Sequence, residues 1–177
     1  MVLTGGRSTR MGRDKATIVV DGETWAVRSG RLLAQVCAPV IEVGPGVSGL
    51  PAIVEATPGR GPLVAFLAGV DALAATGPVV LLACDMPRLD VALLELVANW
   101  PGTGTVVPVV DGHKQHSCSR WSSAAIGRGR NAPDGAIGAM RGDDTVFLEE
   151  SVWRRVTSAP GLTDADTPED LARLGLT

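Results

Sequence analysis

The sequence predicts an α/β fold: a single domain built on an open, mostly parallel sheet with helices on both faces. Three observations carry that expectation. Short apolar runs bounded by glycine and proline alternate with longer segments of helical pattern, as in successive βαβ units. The run Val79-Val80-Leu81-Leu82-Ala83 is apolar without a break, as a strand covered on both faces must be. A loop rich in glycine and cations follows the first short apolar segment, at the kind of strand end where open parallel sheets bind ligands. With 177 residues, 45% of them hydrophobic, the chain has the size of one domain and can bury a sizeable core.

The elements follow in order. Met1 to Thr4 forms a first strand, short for a central one; either it is brief or residues precede it. Ala16 to Val20 reads as a β-branched run ended by the Asp21-Gly22 turn. Thr24 N-caps a helix to about Val36, with Trp25, Leu32, Leu33 and Val36 on its apolar side. Val40 to Val43 and Ala52 to Val54 are short strands, the first ended by Gly44-Pro45-Gly46. Pro62 opens a buried helix through Ala75, stopped by Gly77-Pro78. After the strand Val79 to Ala83, Asp90 caps a helix over Val91 to Asn99, and Thr105 to Val110 is the next strand.

Further on, Ser117 to Trp121 reads as a strand, Ser122 to Gly127 and Asp134 to Met140 as short helices, and Thr145 to Leu148 and Val152 to Thr157 as strands. Thr167-Pro168-Glu169-Asp170 is a helix start: N-cap, proline at the first position, acids in the first turn. Leu171 to Leu174 completes it.

Composition narrows the partners. No apolar stretch reaches membrane-spanning length, and no charged leader with an apolar core opens the chain, so no membrane and a cytoplasmic location are expected. A net charge of −3 and few aromatics give no reason to expect nucleic acid. Cys37, Cys84 and Cys118 are dispersed and odd in number, which fits a reducing compartment and buried thiols rather than disulfides.

The chemistry concentrates in Leu3-Thr4-Gly5-Gly6-Arg7-Ser8-Thr9-Arg10-Met11-Gly12-Arg13-Asp14-Lys15. Glycines let backbone N–H groups approach an anion, and hydroxyls and cations add bonds to phosphate oxygens. The spacing is that of neither a Walker loop nor a dinucleotide fingerprint. A phosphate cradle is one reading and a solvated basic loop the other. Asp85 follows the apolar strand and places a carboxylate at the sheet's edge; Mg²⁺ needs only one or two such ligands besides substrate phosphates. A loop-capping role is its alternative. Asp166 is a second candidate oxygen for the metal, although a turn and helix cap also explain its segment.

The ordered loop, with Cys84-Asp85-Met86-Pro87, Gly61-Pro62-Leu63 and Asp164-Ala165-Asp166-Thr167-Pro168-Glu169-Asp170-Leu171, resembles the MobA-like nucleotidyltransferases. Within them it looks most like the molybdenum cofactor guanylyltransferases. Related cytidylyltransferases more often read Ala-Gly at Gly5-Gly6 and lack Asp14. The resemblance covers residues 3–25, 61–63, 84–89 and 163–174. It implies a Rossmann-like nucleotidyltransferase fold with a nucleotide-binding half over about residues 1–100 and an acceptor-binding half over about 101–177.

It further implies transfer of GMP from GTP, with Mg²⁺, to the phosphate of molybdopterin, releasing pyrophosphate, with molybdenum enzymes receiving the product. Leu3, Thr4, Gly5, Gly6, Lys15 and Asp85 would bind the nucleotide, Arg10, Lys15 and Asp85 would be catalytic, and Asp85 with Asp166 would hold the metal. Gly44 and Ala56 occupy base- or ribose-binding places where the family more often has a polar residue and an aspartate, which leaves base choice open. Lys114, Gln115 and His116 are candidates for the pterin ring with its phosphate, and Arg128, Arg130 and Arg141 for that phosphate; an exposed hairpin and a basic face also explain them. A cytidylyltransferase for the same pterin, transfer to another small phosphate, and a non-catalytic nucleotide-binding module are the alternatives.

Overall fold

The computed structural model describes residues 1–5, 14–57, 59–132, 135–157 and 161–176. Strands β1 (Val2–Leu3), β2 (Val19–Val20) and β3 (Glu23–Thr24) precede helix α1 (Trp25–Ala34). Then come β4 (Glu42–Val43), β5 (Ala52–Ile53), α2 (Pro62–Ala72), β6 (Val79–Ala83), α3 (Val91–Ala98) and β7 (Thr105–Val110). The last part holds β8 (His113–Lys114), β9 (Cys118–Trp121), α4 (Ser123–Asn131), β10 (Thr145–Leu148), α5 (Glu150–Trp153) and α6 (Pro168–Arg173). The main sheet runs β10-β7-β9-β6-β1-β4-β5, with β8 paired to β7. All its neighbours on that path are parallel except β9, which is antiparallel to both β6 and β7.

Strand β6 shows why the sheet is covered twice. Val80 and Leu82 face the layer of α1 and α3, against Leu33, Leu93 and Leu94; Val79 and Leu81 face the layer of α2 and α4, against Phe66, Val70 and Ile126. The unbroken apolar run is the sum of two alternating faces. Thr24 caps α1 by accepting from Val27 N at 3.3 Å, and Asp90 caps α3 from Leu93 N at 2.9 Å. Buried Arg120 donates to the carbonyls of Ala98, Trp100, Gly102 and Gly104, fixing the irregular link from α3 to β7.

Three sequence expectations are corrected. The strand over Val152–Thr157 is replaced by the α5 turn, because Trp153 is buried with its Nε1 donating to Val109 O at 2.8 Å. Only Val19–Val20 of the run from Ala16 is strand: the Asp14 side chain accepts from Ala16 N at 3.0 Å and winds Lys15–Thr17 into a 3-10 turn. Of the helix over Asp134–Met140, Ile137–Met140 is a 3-10 turn, in a segment where Gly135 and Gly138 weaken α-helix; Asp134 lies outside the described residues. Among the described residues no helix is long and apolar enough to cross a membrane.

Candidate functional site

Register lines up the site. Leu3 pairs with Val43 on one side and with Ala83 on the other, all parallel, so Gly5, Gly44 and Asp85 emerge side by side at the C-terminal edge of the sheet. Because β9 runs the opposite way, its start reaches the same edge: Ala83 N donates to Ser117 O at 2.7 Å. The antiparallel strand thus brings His116 and Ser117 beside residues from the first half of the chain. A cavity of about 280 Å³ there is lined by Gly5, Lys15, Asp85, His116, Ser117 and Ile137, among others. A second, of about 600 Å³, shares Leu3, Gly5 and Pro62 with it and extends past Gly44 and Pro45 to Glu55.

Lys15 sits at the centre. Its Nζ pairs with Asp166 Oδ1 and lies 4.0 Å from Asp85 Oδ2. The Asp14 cap presents this lysine, which accounts for an aspartate at that position. Asp85 and Asp166, 81 positions apart in sequence, meet because the terminal segment is tied to the sheet. Ala165 N donates to Asp85 O at 2.9 Å, and Gln115 Nε2 donates to Leu162 O at 2.9 Å. Behind Asp166, Thr167 and Asp170 complete a capping box on α6. Leu171 of α6 and Leu174 just after it pack with Ile18, Trp25 and Ala165.

Asp85 is a crowded, buried carboxylate. Burial pushes its carboxyl up to about 6; the nearby Lys15 opposes this, while Asp164 and Asp166 add to it. Its Oδ1 is buried and has no hydrogen-bond partner. A divalent ion with hard-oxygen preference satisfies such an atom and neutralises the crowded carboxylates, so Asp85 and Asp166 fit Mg²⁺ bound jointly by protein and phosphate oxygens. Among the described residues no cluster of three or more histidines, cysteines or acids forms a self-sufficient metal site.

The other sequence candidates are placed as follows. Leu3, Thr4 and Gly5 line the cavity, but the Thr4 hydroxyl is turned to Glu42 Oε1. Gly6 and Arg10 lie outside the described residues. Gly44 lines the larger cavity; a Cβ there would overlap Thr4 Oγ1 and stand 2.9 Å from Gly5 N, at a φ of +154° that disfavours side chains. Gly44 is therefore required where the two strand ends touch, and the polar side chain that the resemblance leads one to seek has no room. Ala56 is exposed on the following loop and is not a lining residue of either cavity.

His116 is half-buried, stacked on Trp121 with ring centroids 6.0 Å apart, its Nε2 buried without a partner. Burial, then the charges of Arg141 and Lys114, lower its pKa. Arg141 therefore belongs with His116, and its Nε donates to Gly138 O at 2.6 Å. Arg128 and Arg130 do not join them: they pair with Asp144 and Asp71. Lys114 is exposed and lies over the Phe147 ring.

Sequence reading missed Glu42. It is fully buried in β4 and accepts from Thr4 Oγ1, Gly46 N, Val47 N, and both N and Oγ of Ser48. One carboxylate thereby ties the glycine loop to the Gly44–Ser48 turn. Its signal was a lone acid inside the apolar run Val40–Val43.

Comparison with known proteins gives the family and the fold. The family model described as the MobA-like NTP transferase domain matches residues 1–141. A probable molybdenum cofactor guanylyltransferase of Mycobacterium tuberculosis is 40% identical over 108 residues, which cover 56% of this chain and 54% of that protein. One of the same description from Opitutus terrae is 38% identical over 121 residues, 63% of this chain and 60% of that protein. The matched part is thus little more than half the length of these curated relatives. Molybdopterin-guanine dinucleotide biosynthesis protein A of Archaeoglobus fulgidus superposes with a TM-score of 0.75 at 19% identity, covering 98% of this chain and 94% of that one. That likeness concerns the fold.

Proposed function

The chain belongs to the MobA-like NTP transferase family, and from that premise we propose that it transfers GMP from GTP to the phosphate of molybdopterin, releasing pyrophosphate. The observation that carries this reading is the convergence of Lys15, Asp85 and Asp166 beside Gly5 at one sheet edge. A phosphate oxygen of the acceptor attacks the α-phosphorus, and the bond to the β-phosphate oxygen breaks. The nucleophile is already anionic, so no general base is required, and catalysis consists of positioning and charge stabilisation. The Gly5-Gly6 backbone holds the nucleotide phosphates. Lys15, with Arg10, neutralises charge developing on the α-phosphate and the leaving pyrophosphate. Asp85 and Asp166 would hold Mg²⁺, which would supply Lewis-acid charge neutralisation. His116 and Arg141 flank the acceptor. Molybdenum enzymes would receive the product, and the free Cys37, Cys84 and Cys118 agree with a cytoplasmic setting.

Thermal unfolding of wild type and Asp85→Asn with GTP, CTP or ATP, with and without Mg²⁺, tests the reading. A ligand at a hundredfold excess over its Kd stabilises by about 2.7 kcal/mol. GTP should stabilise wild type, and Asp85→Asn should lose the Mg²⁺-dependent part. A preference for CTP moves the assignment to cytidylyl transfer, and no response to any nucleotide overturns it.

A further inference from the structure

We propose that Arg88 is a positioning residue for the metal site: it sets the place of Asp166 relative to Asp85 by holding the far end of α6. The inference rests on the nucleotidyl-transfer reading, with Mg²⁺ between those two carboxylates, and names a residue that acts through them. Arg88 lies just past Asp85 on the loop that follows β6. Its guanidinium reaches α6 at the end opposite Asp166. Nε and Nη2 donate to Leu174 O at 3.1 and 2.6 Å, and Nη2 to Gly175 O at 3.4 Å. The last carbonyls of a helix lack partners within it, and a cation there complements the negative end of the helix dipole. Gly175, at a φ of +67°, ends the helix at this point, and Leu176 N closes back on Leu171 O at 2.9 Å.

The loop and α6 thus form a closed ring. Asp85 O accepts from Ala165 N at 2.9 Å at one end, and Arg88 takes Leu174 O at the other. The loop is itself fixed from α1: Arg28 donates from Nε to Pro87 O at 3.1 Å and from Nη2 to Leu89 O at 2.7 Å, one carbonyl on each side of Arg88. A helix of six residues does not hold itself in place, so its direction depends on what ties its ends. The packing of Leu171 and Leu174 on Trp25 is apolar and non-directional, and it tolerates a small slide. Asp166 follows any such slide, because its N–H donates to Asp170 Oδ2 at 2.9 Å. A misplacement of about 1 Å is costly where a group must meet a fixed geometry.

The test reads metal dependence rather than turnover. GTP is titrated calorimetrically at a series of Mg²⁺ concentrations into wild type, Arg88→Ala, Arg88→Lys, Asp166→Asn and the double variant Arg88→Ala with Asp166→Asn. The Mg²⁺ concentration that gives half the metal-dependent gain in GTP affinity should rise about tenfold in Arg88→Ala, and saturating Mg²⁺ should restore the wild-type affinity. Arg88→Lys keeps a charged donor but not the fork, so its rise should be smaller; it carries the same test if the alanine variant does not fold. In the Asp166→Asn background, Arg88→Ala should change the Mg²⁺ dependence no further, since nothing remains for it to position. A purely structural role lowers thermal stability in both backgrounds alike and leaves the half-saturating Mg²⁺ unmoved. That result, or equal shifts in the two backgrounds, overturns the assignment of Arg88. Wild type whose GTP affinity ignores Mg²⁺, or that binds no GTP, overturns the transfer reading and this inference with it.

Discussion

Replacing Glu42 by glutamine keeps shape and volume and removes one charge, so its effect can be worked from the hydrogen bonds. Oε1 takes Thr4 Oγ1, Gly46 N and Val47 N; Oε2 takes Ser48 N at 2.7 Å and Ser48 Oγ at 2.5 Å. With the amide oxygen on the first three donors, the amide NH₂ faces Ser48 N–H. That donor is then buried and unpaired, at about 1–3 kcal/mol. The three retained bonds fall from charged to neutral strength, roughly 1 kcal/mol each. A neutral amide is cheaper to bury, which offsets part of this, and a net loss of about 3–5 kcal/mol remains. That is a large share of the stability of about 5–15 kcal/mol usual for a domain. Urea unfolding followed by tryptophan fluorescence measures it.

The pH dependence gives the sharper check. Burial alone would raise the Glu42 carboxyl, but the hydroxyls of Ser48 and Thr4 and the N–H groups of Ser48 and Val47 outweigh it and hold it below its ordinary 4.5. A carboxyl depressed in the folded state contributes fully above its unfolded value and loses that contribution as pH falls through the folded one. The gap between wild type and Glu42→Gln should therefore be widest at pH 7 and narrow progressively below about pH 4.5. A loss under about 1 kcal/mol at pH 7, or a gap that does not change with pH, refutes the assignment of Glu42 as a charged hub.

Two further outcomes are expected. Gly44→Ala should destabilise by about 2–4 kcal/mol, from overlap with Thr4 and Gly5 and from the positive φ, and should weaken nucleotide binding measured by titration. Cys84 and Cys118 are buried and their thiols are pushed up to about 12, so a thiol reagent at pH 8 should label neither in the native protein, whereas all three cysteines should react in urea.

Much of the site was legible because its residues lie in short ordered motifs. Lys15 follows the glycine loop, Asp85 ends an unbroken apolar strand, and Asp166 precedes a capping box; the structure brings the three together. What stayed hidden depends on contacts between distant segments. Glu42 is explained by Thr4 and by a turn folded back over it, neither of which periodicity records. The reversed direction of β9 was equally invisible, since the four residues Cys118–Trp121 carry no mark of strand direction, yet that reversal places His116 at the site. Arg128 and Arg130 looked like anion ligands by charge alone, and only their pairing with Asp144 and Asp71 removes them. At Val152–Thr157 the pattern failed because one buried tryptophan decides the conformation.

The most direct measurement follows GTP labelled on its α-phosphate, incubated with Mg²⁺, molybdopterin and either wild type or Lys15→Ala. Wild type should move the label into a dinucleotide with one pyrophosphate released per transfer, and Lys15→Ala should be at least about a hundredfold slower while retaining the wild-type circular dichroism spectrum. Wild type that transfers no label, or Lys15→Ala that transfers it at the wild-type rate, contradicts the account.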